Sequence, residues 1–214
     1  MIFNPAITEL TTAATDTLIT VVALGCIAVL RRGSNRHRQR VAVWSWVFGL
    51  LAFASLVGAL AHGLDLSSTA QSWLWRPLYL SLGLVVAMFV VGAVFDLKGE
   101  SAARAWLIPM LVLALVFFTV TQVGSGGFRA FVVYEALAML GALGIYLLLA
   151  LKRRLAGAGT VAAAILLNIV AAAIQSTGNI TLTIVVPFDH NGVFHLVQIV
   201  ALVVLTWGLA RGMA

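Results

Sequence analysis

The chain has 214 residues, of which 62% are hydrophobic and only 9% are charged, and its mean hydropathy is +1.08. This composition excludes a water-soluble domain and indicates an integral membrane protein. The formal net charge of +6 is explained by basic loops and anionic lipid headgroups, so nucleic-acid binding is not expected.

Seven apolar segments are each long enough to cross a bilayer as a helix, which takes about 20 mostly apolar residues. Breaks that are basic, rich in glycine or marked by proline separate them. We therefore predict an all-α, seven-helix transmembrane bundle that forms one domain over residues 1–214, with short connections between antiparallel neighbours. The predicted helices cover residues 6–30, 41–63, 74–97, 104–123, 129–151, 159–182 and 191–210.

The basic residues predict the orientation, because loops rich in lysine and arginine stay on the cytoplasmic side. Only Arg76 and Arg129, of thirteen basic residues, fall on the side where the chain begins. The N-terminus is therefore expected outside and the C-terminus in the cytoplasm. The compact loops favour a bacterial inner membrane protein. The basic residues on the predicted cytoplasmic side are Arg31, Arg32, Arg36, Arg38, Arg40, Lys98, Arg104, Lys152, Arg153, Arg154 and Arg211.

Polar residues inside the segments concentrate on the predicted outer side. Asp16 lies in the first segment, His62 ends the second, and His190 and His195 open the seventh. Ionisable groups at membrane depth are costly and indicate a functional site. The cytoplasmic half carries almost nothing comparable apart from its loop charges. We therefore expect a polar cavity that opens outward and is closed below by apolar packing.

The histidines and carboxylates suggest a metal site. Three imidazoles can hold Zn²⁺ with a fourth position open to water, which the metal activates. His62, His190 and His195 are the predicted ligands, and Asp16 or Glu9 would hydrogen-bond a ligand or act as the general base. A purely hydrogen-bonded network of the same residues is the open alternative, with His190 as an interfacial bystander.

A hydrolytic reaction at such a site would act on a lipid amide or ester held in the outer leaflet. Water activated by zinc would attack the carbonyl, and Ser55, Tyr79 or Asn191 would hydrogen-bond the developing oxyanion. Gln198 shares one face of the seventh segment with Asn191 and His195, so it is also expected to contact the substrate. Apolar walls from the fifth and sixth segments would accept an acyl chain.

A family resemblance supports this interpretation. The seven helices, the outside N-terminus, His62 at the end of the second segment and the pair His190 and His195 at the opening of the seventh resemble the CREST superfamily, which includes alkaline ceramidases and the progestin and adipoQ receptors. The resemblance implies a zinc-dependent amide hydrolase acting on lipids, with these three histidines on the metal. Glu9 and Asp16 match the acidic residues near the first helix of the ceramidases.

The chain departs from the pattern of that superfamily at three places. An aspartate expected in the third helix is missing, and Asp65 is the nearest acid. Gly58 stands where the family usually has a serine one turn before the histidine of the second helix, and Ser55 lies one turn further back. The histidines of the seventh segment are five residues apart rather than four, and Asn191 takes the position four residues before His195.

Other functions of a seven-helix protein remain open or are excluded by single residues. A non-enzymatic receptor, or a protein that binds lipid or metal, fits the same outward cavity. A b-type haem between His62 and His195 stays open, as does a small transporter, although polar residues on one side give no path across the membrane. A retinal protein is excluded because Lys98 and Lys152 lie in loops. Small residues in segments 2, 5 and 6 would allow close packing or a homo-oligomer.

Overall fold

The computed structural model describes residues 2–32, 37–123 and 127–213. Within these ranges, seven helices are long and apolar enough to cross a membrane, which confirms a multi-pass, seven-helix membrane bundle. The predicted breaks at residues 33–36 and 125–126 lie outside the described residues. The helices are α1 (Ile7–Arg32), α2 (Arg38–Gly63), α3 (Ser68–Lys98), α4 (Glu100–Val123), α5 (Gly127–Leu151), α6 (Ala158–Thr177) and α7 (His190–Arg211).

Consecutive helices pack side by side, and α1 also packs against α7, so the first and last helices of the bundle are neighbours. The end of the bundle that carries Glu9, His62 and His190 is called the histidine end. The opposite end, which carries Arg40 and Arg211, is called the arginine end. Apolar side chains on the outer faces of α4 and α5 are exposed, as expected for helices that contact lipid.

Helix α6 ends at Thr177, five residues before the predicted end at residue 182. Gly178 ends it, because its φ of +69° places it in the left-handed conformation that terminates helices. The chain then forms a hairpin in which β1 (Leu182–Thr183) pairs with the antiparallel β2 (Pro187–Phe188). The predicted boundary was wrong because the hairpin is as apolar as the helix before it.

Helix α3 begins at Ser68, six residues before its predicted start at residue 74. The side chain of Ser67 caps it by accepting a hydrogen bond of 3.3 Å from the backbone N–H of Ala70. The other helix ends lie within four residues of the prediction.

A buried ion pair lies at the arginine end, where only apolar packing was expected. Arg40, counted as a loop residue in the sequence, belongs to α2 and is 5% exposed. Its Nε and Nη2 donate to Asp96 Oδ1 at 2.5 Å and Asp96 Oδ2 at 2.9 Å. Tyr146 donates to Asp96 Oδ2 at 2.7 Å, and Arg40 Nη1 donates to the carbonyl of Leu209 at 3.2 Å. The prediction that Arg40 is a loop charge was therefore wrong, since this buried cluster joins α2, α3, α5 and α7.

Candidate functional site

A cavity of about 400 Å³ runs from the histidine end into the middle of the bundle. Helices α1, α2, α3, α5, α6 and α7 all contribute to its walls. Of the nine predicted site residues, Glu9 does not line it and instead contacts His62. The eight that line the cavity are Asp16, Ser55, His62, Tyr79, His190, Asn191, His195 and Gln198.

The walls of the cavity change from polar to apolar along the bundle axis. The polar side chains come from the half of each helix nearest the histidine end, as His62 and His190 do. Deeper in the bundle, α2, α3 and α7 contribute only apolar side chains to the lining. These are Val47, Phe48, Leu51, Leu82, Val85, Val86, Phe89, Ala201, Leu202 and Leu205. The cavity therefore has an apolar floor below a polar upper half, which suits a molecule with one polar end.

Asp16 of α1 and His195 of α7 face each other in the polar half, and both are buried. His195 Nε2 lies 3.6 Å from Asp16 Oδ1, and His195 Nδ1 lies 2.9 Å from the hydroxyl oxygen of Thr15. The Thr15 hydroxyl is also within hydrogen-bond distance of the carbonyls of Thr12 at 2.9 Å and Thr11 at 3.1 Å, and in the tautomer with a proton on Nδ1 its oxygen accepts from the His195 ring. Nε2 is then an acceptor that faces a carboxylate. A proton, a cation or a polar hydrogen of a ligand is needed between them.

Residues of α2 complete the surroundings of the Asp16 carboxylate. Ser55 lies beside it. Gly58 lies so close that a β-carbon at position 58 would stand 2.7 Å from Asp16 Oδ2. The residue that departs from the CREST pattern is therefore the one that makes room for the carboxylate.

His62 is held nearer the entrance of the cavity by a second carboxylate. Its Nδ1 lies 2.6 Å from Glu9 Oε2, and the two side chains are 16% and 36% exposed. The ring also meets Trp75 edge to face, with the ring centres 5.7 Å apart. The contact with Glu9 fixes the imidazole through Nδ1, as Thr15 does for His195, and Nε2 of His62 has no hydrogen-bond partner among the described residues. An anchored Nδ1 with a free Nε2 is typical of histidines that bind metals or move protons.

The start of α7 is fixed by contacts with α1 and α6. Asp189 caps the helix, and its Oδ1 also accepts from the Thr12 hydroxyl at 3.2 Å. His190 is therefore the first residue of the helix, and it lines the cavity. Asn191 Oδ1 accepts from Gln175 Nε2 at 3.3 Å. These contacts hold the polar side chains of α7 at the entrance.

Glu135 of α5 also lines the cavity, although it was not among the predicted site residues. It is 7% exposed, and its Oε1 accepts from Asn168 Nδ2 of α6 at 3.1 Å. The sequence signal for this pair was an acid inside an apolar segment. Its position near the start of the fifth segment made it resemble an ordinary interfacial residue.

The fit of these residues to zinc is incomplete. The 3.6 Å between His195 Nε2 and Asp16 Oδ1 suits two ligands that share one ion at about 2.0–2.2 Å each. Among the described residues, however, no group of three histidine, cysteine, aspartate or glutamate side chains is placed to hold a metal ion. The three-histidine site is therefore not assembled in this arrangement, and zinc binding stays a prediction.

The bundle defines a seven-helix membrane protein with a cavity between its helices. The chain belongs to the DUF6962 family, a family of unknown function, which matches it over residues 11–214. Searches of curated proteins and of solved structures found no match. The family match therefore carries no activity to this chain.

Proposed function

We propose that this protein binds a lipid-like molecule in the cavity, with the polar group of the ligand at the histidine end and its chain on the apolar floor. The observation that carries the proposal is the division of one cavity of about 400 Å³ into a polar and an apolar half. Ligand sites typically measure about 300–1,000 Å³ and place a few polar groups in a mostly apolar wall.

The orientation belongs to the same proposal. The histidine end faces the outside and the arginine end faces the cytoplasm of a bacterial inner membrane, because Arg76 and Arg129 are the only two of the twelve basic residues in the described part of the chain that lie at the histidine end. A ligand then enters from the outer leaflet or the external medium.

Binding is tested with octanol and N-octylacetamide, two single-chain probes without charge, added to the protein in lipid nanodiscs. Both probes should raise the unfolding temperature with concentration, since a ligand that binds only the folded state stabilises it. Ala201→Leu adds a larger side chain to the apolar floor and should abolish the rise. Ala136→Leu adds the same group on the exposed face of α5 and should leave it intact.

The result of this comparison decides the proposal. A rise that Ala201→Leu removes and Ala136→Leu preserves supports a ligand in the cavity. No rise with either probe, or an equal rise in all three proteins, overturns the proposal.

A second candidate function is the hydrolysis of a lipid amide or ester, which the resemblance to the CREST superfamily implies. The observation that favours it is the group formed by Asp16, His195 and Ser55, because a carboxylate, an imidazole and a hydroxyl are the side chains that move protons in acyl transfer. Asp16 would take a proton from the attacking water, and Ser55 would hydrogen-bond the carbonyl oxygen.

Hydrolysis and zinc are tested together on detergent-purified protein. Elemental analysis should find nearly stoichiometric zinc in the wild type and in His37→Ala, whose histidine is exposed at the arginine end. His62→Ala and His195→Ala should lose the metal and the hydrolysis of a single-chain amide. Well-folded wild type that takes up no zinc when zinc is offered would rule out the metal-dependent reaction and leave binding as the function.

A further inference from the structure

Glu135 lines the cavity and has no basic partner among the described residues. It is the ninth residue of α5, about 12 Å along the helix at 1.5 Å per residue, and it is 7% exposed. Its hydrogen-bond donor, the amide of Asn168, carries no charge. The described residues that line the cavity include no lysine or arginine. A buried carboxylate without a counter-charge is unfavourable, and a cation beside it would remove that cost.

Aromatic rings line the same cavity as Glu135. Phe128 and Phe131 precede Glu135 by seven and four residues, so all three lie on one face of α5. Tyr79 of α3 and Phe194 of α7 line the cavity from neighbouring helices. The face of an aromatic ring attracts an ammonium group. A carboxylate beside several rings is therefore suited to an organic cation.

The charge of the histidine end also favours a cationic ligand. Five of the seven acidic residues lie in the half of the bundle nearest that end, against two of the twelve basic residues that the structure describes. Such an excess of negative charge attracts cations and raises their local concentration. The acids are Glu9, Asp16, Asp65, Glu135 and Asp189.

We propose that the ligand of the cavity is a cationic amphiphile, an alkylamine or alkylammonium, whose charged nitrogen lies between the Glu135 carboxylate and the rings of Phe128 and Phe131. Its chain occupies the apolar floor formed by residues such as Leu202 and Leu205. This inference rests on the proposed function, because it names the chemical class of the molecule that the cavity binds.

The test compares octylamine, octanol and octanoate, three probes with the same chain and a positive, neutral or negative end. Affinities are measured in nanodiscs of uncharged lipid by titration against the unfolding temperature. Wild type should bind octylamine at least about tenfold more tightly than octanol, since an unpaired buried charge is costly, and should bind octanoate most weakly. Glu135→Gln should lower the affinity for octylamine about tenfold and leave that for octanol unchanged.

Two further variants make the outcome specific. Glu100→Gln makes the same change at the arginine end, where Glu100 pairs with Arg104, and should keep the preference for octylamine. Phe131→Leu keeps the carboxylate but removes a ring, so it should weaken octylamine binding more than octanol binding. Phe131→Leu also tests the preference for a cation if Glu135→Gln does not fold.

Each result separates this inference from the proposed function. Equal affinities for octylamine and octanol in the wild type would overturn the cationic ligand and leave cavity binding standing. An equal loss of affinity for octylamine and octanol in Glu135→Gln would also overturn the cationic ligand. If Glu135→Gln does not fold, the same result in Phe131→Leu would overturn it. Failure of all three probes to bind would overturn cavity binding itself.

Discussion

Asp16 on α1 lies against Gly58 on α2, where a β-carbon would stand 2.7 Å from Asp16 Oδ2 and 3.1 Å from Asp16 Cγ. The whole carboxylate therefore occupies the space that any other side chain at position 58 would take. Since Asp16 also faces His195 across the cavity, the missing side chain of Gly58 sets the geometry of the site.

Substitution of Gly58 by alanine should displace the Asp16 carboxylate from His195. We expect a loss of about 1–3 kcal/mol in the free energy of unfolding, as for other overpacked interiors, and weaker binding of an amphiphile. Thermal unfolding in micelles and probe titration measure the two effects. Gly49→Ala is the matched control on the same helix, because its β-carbon would lie an ordinary 3.9 Å from Ile27 Cδ1. Equal behaviour of the two variants would contradict the contact.

Replacement of Thr15 by valine should remove the oxygen that holds His195 Nδ1 at 2.9 Å. We expect nitrogen-15 NMR to show the Nδ1–H tautomer of His195 in the wild type and a changed tautomer population in Thr15→Val. The variant should also lose about 1–3 kcal/mol of stability, since a buried donor is left without an acceptor. Thr17→Val alters an exposed threonine of the same helix. It should change neither quantity, and a His195 spectrum that responds equally to both variants would count against the assignment.

The helices and the polar residues of the cavity could be predicted from the sequence for one physical reason. A bilayer excludes water, so spanning helices are long and apolar, and each polar side chain inside them stands out. His62, Asp16 and His195 lie on three different helices, and all three line the cavity. Their distances could not be predicted, because the rotation of each helix depends on packing contacts such as that of Gly58.

The arginine end shows where the same reasoning fails. Arg40 and Asp96 stand next to loops in the sequence, and a charge there is usually solvated. Nothing local distinguishes a charge that points to water from one that turns into the bundle to meet a partner 56 residues away. The predicted end of α6 was wrong for a related reason. Ile180 and Leu182 continue the apolar pattern of the sequence after Gly178 has ended the helix.

Removal of one member of the Arg40–Asp96 pair should be strongly destabilising. Arg40→Met leaves a buried carboxylate without its cation, and such changes cost about 3–5 kcal/mol. Arg40→Met combined with Asp96→Leu should recover much of the loss, because no uncompensated charge remains. Arg104→Met breaks the ion pair between Arg104 and Glu100, in which the arginine side chain is 73% exposed. This change should lower the free energy of unfolding by less than about 1 kcal/mol. A double variant no more stable than Arg40→Met would argue against charge burial as the cause.

The Tyr146 hydroxyl should contribute to the same cluster. Tyr146 is fully buried and donates to Asp96 Oδ2 at 2.7 Å. Tyr146→Phe should therefore cost about 1.5–3 kcal/mol, the usual range for a hydrogen bond to a charged group, measured by thermal unfolding. Tyr134→Phe removes a longer bond of 3.3 Å to the neutral carbonyl of Gly83 and should cost less. The reverse order would contradict the proposed strength of the Asp96 contact.

The proposed orientation predicts which end of the bundle a reagent outside the cell can reach. The single cysteine, Cys26, is buried, so Cys26→Ala provides a background without thiols.

In that background, Thr69→Cys introduces a thiol at an exposed position of the histidine end. Lys152→Cys introduces one at an exposed position of the arginine end. In intact bacterial cells whose outer membrane has been permeabilised, a charged maleimide should label the first variant only. Because the positive-inside rule places eleven basic residues in the cytoplasm, the second variant should react only after the inner membrane is lysed. The opposite pattern would place the cavity entrance on the cytoplasmic side and make the ligand a molecule from inside the cell.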